Sequence, residues 1–298
     1  MHREKILLFG KNGQVGKILH KDLPELGDVI AFGQQEANFL YPEQIAKLIR
    51  SINPSLIINA AAYNAVDQAE IEQDKVFLIN AKTPGAIAHE AAHMDALFVH
   101  YSTDMVFDGV KNSLYTEEDI PNPVNAYGRS KLAGEEMITQ AGCKMIIFRT
   151  SWVYSRSGDN FVTRILKLSR KEKELNIVTD QKSSPTWAGN IASATINVLE
   201  QVQNNNLPGT GQSGVYHICN FGTVSKYDWA KVILDLDPAH EEQIVERINP
   251  VKSDYFPMSA PRPIFSGLDT TRFEKVFDIQ LPDWMSTFTK VMKETNLL

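Results

Sequence analysis

The sequence predicts an α/β fold, a doubly wound parallel sheet followed by a smaller C-terminal α/β lobe. Three observations carry that prediction. Short apolar runs alternate with helical patterns through the first half, a glycine-rich stretch follows the first run directly, and the alternation fades after about residue 152. At 298 residues the chain accommodates one large domain or two unequal lobes. The division expected is 1–151 for a nucleotide-binding domain and 152–298 for the smaller lobe, with some later segments returning to the first sheet.

The elements follow in order. "KILLFG" (5–10) reads as the first strand and "QVGKILHKDL" as the helix after it. "DVIAF" (28–32) is the second strand, with a helix around "PEQIAKLIRSI". "SLIINAAA" (55–62) is the third strand, followed by helices through "AEIEQDKVFLIN" and "TPGAIAHEAAHM". "ALFVHYS" (96–102) is the fourth, then a long loop and a helix bearing Tyr127, and "MIIFRTS" (145–151) is the fifth. Strands this apolar belong to a parallel sheet covered on both faces. In the second half, "SRSGDNF", "TDQKSSPTW", "NNNLPGTGQSG" and "SAPRPIFSG" read as loops separating shorter elements.

Composition excludes several classes. A net charge of -6 with no basic block argues against nucleic acid. Two cysteines, Cys143 and Cys219, make neither a disulfide framework nor a metal-ligand pattern and fit a reducing cytosol. No apolar run reaches the ~18 residues of a membrane span, and the N-terminal run is too short for a signal peptide. The expectation is a cytoplasmic, soluble protein.

Three stretches converge on one chemistry. "GKNGQVG" places Gly10, Gly13 and Gly16 between a strand and a helix, where glycines let the backbone approach a pyrophosphate on the helix N-terminus. Lys11, Asn12, Gln14 and Val15 fill the same loop. This is a Rossmann-type pattern spaced GxxGxxG. "HYSTDMVFDG" ends the fourth strand, so Ser102, Thr103 and Asp104 should face the crevice at the strands' carboxyl ends. "NPVNAYGRSKLAGEE" puts Tyr127 and Lys131 four residues apart on one helix face, with Asn125 or a neighbour as the cap. A phenol titrates near pH ~10, and an adjacent ammonium favours its ionised form and so strengthens it as a proton donor. Tyr227 and Lys231 repeat the spacing on an amphipathic helix that no hydroxyl-bearing strand end precedes, and read as structural.

In combination these stretches resemble the extended short-chain dehydrogenase/reductases. "NAAAYNAVDQAE", "YSTDMVFDG", "AYGRSKLAGE", "FRTSWVY" and "RPIFSGL" resemble one branch, the dTDP-4-dehydrorhamnose reductase family, from residue 5 to about 270. The resemblance implies reduction of the C4 ketone of a dTDP-4-dehydro-6-deoxy sugar by NADPH, with NADH as an alternative. Carried over position by position, Thr103, Tyr127 and Lys131 form the catalytic set. Asn59, Ala60, Ala61 and Ala62 would lie along the cofactor. Thr103, Asp104 and Met105 would meet the sugar, Trp152 would wall it, and Arg262 would contact the diphosphate. Met105 stands where the family usually has Tyr, and Phe265 where many members have Asn. Some members pair through a metal held by glutamates on the first helix. "GKILHKDL" has none, so no metal is expected, and a homodimer is left open.

Other readings remain beside it: a related 4-ketoreductase of different stereochemistry or nucleotide, and a non-catalytic NADP-binding regulatory subunit. "HEAAH" (89–93) matches a zinc-protease signature, but a helical wheel sets both histidines almost opposite the stripe of Ile87, Ala88, Ala91 and Met94. The second strand ends at Gly33 and Gln34, without the acid that repels a 2′-phosphate. Lys11 is the nearest cation, which leans the expectation toward NADPH.

Overall fold

Five strands carry the apolar runs of the first half: β1 (Lys5–Phe9), β2 (Asp28–Phe32), β3 (Leu56–Asn59), β4 (Leu97–Thr103) and β5 (Lys144–Thr150). The computed structural model describes residues 3–204, 213–257 and 259–294, so most of "NNNLPGTGQSG" lies outside the described residues. The strands pair parallel in the order β2-β1-β3-β4-β5, and the strand Gly214–His217 joins the outer edge of β5 in the same sense. Register aligns Leu8, Ile58, Val99 and Ile146 in one row, and Phe9, Asn59, His100 and Ile147 in the next. The first row faces one apolar cluster and Phe9 and Ile147 face the other, which is why both alternations of each strand are hydrophobic.

Six helices belong to this half: α1 (Gln14–Asp22), α2 (Pro42–Ile52), α3 (Val66–Ile71), α4 (Gln73–Phe77), α5 (Thr83–His93) and α6 (Ala126–Gln140). Leu19 of α1 shares a cluster with Ile191 and Leu199 of the helix Ala188–Gln203 on one face of the sheet. Ile45 and Ile49 of α2, Ile87 and Ala88 of α5, and Ile138 of α6 cover the other.

Two boundaries differ from expectation. The third strand stops at Asn59 rather than Ala62, because the Asn59 side chain turns back to accept the Ala61 amide at 3.0 Å and the chain leaves the sheet. The stretch 69–80 is not continuous helix: α3 and α4 break at Glu72, and Leu78–Lys82 forms a wider π-type turn into α5.

Past residue 152 the chain makes two-stranded pairings, Glu174–Val178 with Arg247–Val251 and Val153–Tyr154 with Thr186–Trp187. With the helices Phe161–Ser169, Lys226–Asp235 and Trp284–Lys293 they enclose a separate apolar cluster around Tyr154, Trp229 and Phe288. The helix Ala188–Gln203, the strand Gly214–His217 and the helix Thr271–Phe277 instead pack with the central sheet. Among the described residues no helix is long and apolar enough to cross a membrane.

Candidate active site

Strand order reverses between β1 and β3, and the crevice opens at their carboxyl ends, where doubly wound sheets bind ligands. The loop after β1 is tight for a definite reason. Gly10 sits at φ +85°, and a Cβ there would lie 2.5 Å from the Ala60 carbonyl carbon. At Gly16 a Cβ would lie 2.0 Å from the Gly10 oxygen. Gly13 caps α1 without any side-chain hydrogen bond, so the first amides of that helix are presented to the crevice. Gln14 bridges lobes: its amide donates to the Val153 carbonyl at 3.3 Å, and its oxygen accepts from Ser155 Oγ at 2.8 Å.

A cavity of about 740 Å³ runs from Asn12, Gly13 and Val15 past Ala60–Ala62 to Thr103, Tyr127, Lys131 and Trp152. A second, of about 440 Å³, adjoins it at Asn12, Gly13 and Ala60–Ala62 and is closed by Phe32, Gly33, Gln34 and Phe39.

Tyr127 and Lys131 project from the first turns of α6. Asn125 caps that helix, its Oδ1 accepting from the Gly128 amide at 2.8 Å. Tyr127 is half-buried, and burial pushes its phenol up to about 12, against which a hydrogen bond with Thr103 works. Lys131 is buried, and desolvation brings its amine down to about 8, Glu135 opposing the drop. Its Nζ donates to the Tyr101 carbonyl at 2.6 Å and lies 3.1 Å from His100 Nε2.

The end of β4 is more fixed than expected. Thr103 Oγ1 donates to Asp104 Oδ1 at 3.0 Å and accepts from the Met105 amide at 3.2 Å. Asp104 is buried within the cavity wall, and Ser183 and Ser266 donate to its Oδ2 at 3.1 and 2.5 Å. Burial raises its carboxyl, and these hydroxyls hold it back. The Ser102 hydroxyl also turns away, donating to Glu135, which forks to the buried Arg149. Ser102, Thr103 and Asp104 all line the main cavity, with the Ser102 hydroxyl and the Asp104 carboxylate held by these partners.

On the far wall, Trp152 adopts φ +37° and stacks on Trp229 at 5.7 Å between centroids, with Lys226 Nζ 5.5 Å from its ring. Arg262 lies bidentate on Asp67, at 3.1 and 2.7 Å, so its guanidinium is already partnered within the protein. Met105 lines the main cavity. Phe265 packs beside Phe107, Tyr115 and Leu268.

No acid ends β2, but Glu36 stands four residues past its last residue, Phe32. Lys11 Nζ pairs with Glu36 Oε1 at 2.7 Å, and Glu36 Oε2 accepts the Gly33 amide at 2.7 Å. A turn returns the chain there, the Glu36 amide donating to the Gly33 carbonyl at 3.2 Å. The cavity-lining Ser155–Asp159 and Lys75 also carry no motif that would have singled them out.

His89 and His93 are exposed side by side, rings 4.4 Å apart, while Ile87, Ala88 and Ala91 are buried. Among the described residues no group of three His, Cys, Asp or Glu could hold a metal ion. Lys231 lies over the Tyr227 ring at 5.6 Å on the helix Lys226–Asp235, away from the main cavity's lining.

Residues 4–297 match the family described as the RmlD substrate binding domain. A dTDP-4-dehydrorhamnose reductase of Burkholderia thailandensis is 40% identical over 94% of this chain and 95% of its own. One from Escherichia coli K12 is 38% identical over 97% of each. A crystal structure of dTDP-4-dehydrorhamnose reductase from Bacillus anthracis in complex with NADP superposes with a TM-score of 0.88 at 33% identity, covering 99% of this chain and 100% of that one.

Proposed function

Since this chain belongs to the RmlD substrate binding domain family, we propose that it is an NAD(P)H-dependent reductase of the C4 ketone of a dTDP-4-dehydro-6-deoxy sugar. The product best supported is dTDP-L-rhamnose, and the cytoplasm is the compartment this reading assigns. The observation that carries it is the meeting of Thr103, Tyr127 and Lys131 in the cavity that continues from the glycine loop. The relatives of known activity, dTDP-4-dehydrorhamnose reductases, agree with it.

The residues fit a dinucleotide. Gly10 and Gly16 leave the space that a Cβ would fill, and the uncapped start of α1 offers amides to a pyrophosphate. Reduced nicotinamide supplies the hydride when bound. Asn12–Val15 and Ala60–Ala62 line its berth, with Lys11, Gly16 and Asn59 adjoining them in the chain. Thr103 orients the C4 carbonyl by turning its one hydroxyl hydrogen from Asp104 Oδ1 to the ketone oxygen. Tyr127 donates its phenolic proton to the oxygen as negative charge develops there. Lys131, as ammonium, favours the phenolate that Tyr127 becomes, and holds the nicotinamide ribose. Trp152 walls the sugar. Arg262 meets the diphosphate only by sharing itself with Asp67.

In this reading the chain to residue 151 binds the cofactor. The remainder forms the sugar-nucleotide lobe, apart from the segments that return to the sheet. Loss of NADPH absorbance on adding a dTDP-4-dehydro-6-deoxy sugar tests the function. No oxidation above the rate without protein would refute it.

A further inference from the structure

His100 opens the stretch "HYSTDMVFDG", is fully buried in β4, and has no part in the chemistry above. Its surroundings fix its proton. The Ala61 amide, which can only donate, points at Asn59 Oδ1 at 3.0 Å. Asn59 therefore turns its NH₂ to His100 Nδ1, 3.1 Å away. Nδ1 must accept, so a neutral imidazole carries its single proton on Nε2. That N–H faces Lys131 Nζ at 3.1 Å. An ammonium has no lone pair, whereas a neutral amine accepts this hydrogen and can still donate to the Tyr101 carbonyl. The other tautomer would require Asn59 to flip, setting its NH₂ against the Ala61 amide.

We propose that His100 is a positioning residue which, anchored through Asn59 to the backbone of the Ala60–Ala62 segment, presents an N–H to Lys131 and favours that lysine's neutral amine. The proposal rests on the cofactor site of the reductase reading, where the charge of Lys131 acts on the bound dinucleotide and on Tyr127. Its consequence is that His100 sets the alkaline limit of the site. Lys131 serves as ammonium and loses its proton at lower pH than it would beside an acceptor.

The other groups around Lys131 do not reproduce this effect. Tyr127 lies one turn before it in α6. Asp104, beyond β4, faces Tyr127 and is held by Ser183 and Ser266. Glu135, one turn after Lys131, favours the ammonium, and is itself occupied by Arg149 of β5 and Ser102 of β4. From β3 the facing group is Asn59, which does not titrate. Burial of the amine acts in the same direction as His100, and the amine falls to about 8.

The test is the pH dependence of NADPH binding, read by fluorescence, alongside that of kcat/KM. In the unaltered protein both should decline with a midpoint near the about 8 of Lys131. His100→Phe keeps a ring and removes the N–H, and should move both midpoints up by about one unit. Asn59→Asp offers Nδ1 an acceptor, shifts the imidazole proton to that nitrogen, and turns Nε2 into an acceptor for the ammonium. It too should move the midpoints up. If circular dichroism shows His100→Phe unfolded, His100→Leu, which also removes the N–H and adds no charge, decides. Weaker binding or slower turnover with unmoved midpoints, as a packing role alone would give, overturns the proposal. NADPH binding that shifts as expected without sugar turnover would sink the reductase reading and leave His100's role standing, whereas no NADPH binding at all would sink both.

Discussion

Lys11 Nζ and Glu36 Oε1 lie 2.7 Å apart, so the cation of the glycine loop is already paired with an acid that the chain brings back beyond β2. The pair holds the Glu36 carboxyl below its usual range, the Lys11 contact first and the Gly33 amide second. A 2′-phosphate must compete with Glu36 for Lys11, whereas ribose hydroxyls can donate to Glu36 directly. We infer that the size of the lean toward NADPH is set by how readily a 2′-phosphate draws Lys11 from Glu36. Glu36→Gln should raise the ratio of kcat/KM with NADPH to that with NADH several-fold, and Lys11→Ala should lower it. Both effects should shrink in high salt, since the pair is partly exposed. An unchanged ratio in both variants would show that this pair lies outside the cofactor's reach.

Tyr127→Phe removes one hydroxyl and little volume. Turnover should fall on the order of 10²–10⁴-fold while NADPH still binds. Thr103→Val should also lower kcat, and it deprives Asp104 of one of its three hydroxyl donors. Tyr227→Phe, on the other Tyr–Lys pair, should change little. A larger loss in that control than in Tyr127→Phe would mean that the wrong pair has been assigned.

Beneath the site, Glu135 and Arg149 form an ion pair with side chains 4% and 5% exposed. Removing one partner leaves the other charge buried without compensation. Glu135→Ala should cost about 3–5 kcal/mol in urea unfolding. A loss below about 1 kcal/mol would show that water reaches Arg149 readily.

Much of this was legible in sequence because the signals are local. The second strand and α2 fall where "DVIAF" and "PEQIAKLIRSI" place them, since each run is bounded by turn or proline chemistry. Ala60–Ala62 read as strand because small apolar residues do not announce the point where pairing stops; Asn59's side chain decides that. Glu36 was invisible because a turn, not a periodic element, carries it back to Lys11. His100 reads as one more residue of a buried strand. Its contact with Lys131 joins positions 31 apart in different elements, and no spacing rule connects them. Asp104 kept its place at the strand end but not its freedom, because Ser183 and Ser266 arrive from loops remote in sequence.

The most direct test of the central claim is NMR of the product formed from dTDP-4-dehydro-L-rhamnose and NADPH deuterated at the transferring position. The account predicts deuterium at C4 of the sugar and dTDP-L-rhamnose as the product, with the label absent when Tyr127 is Phe. Recovery of unlabelled 4-keto sugar, or of deuterium at another carbon, would contradict it.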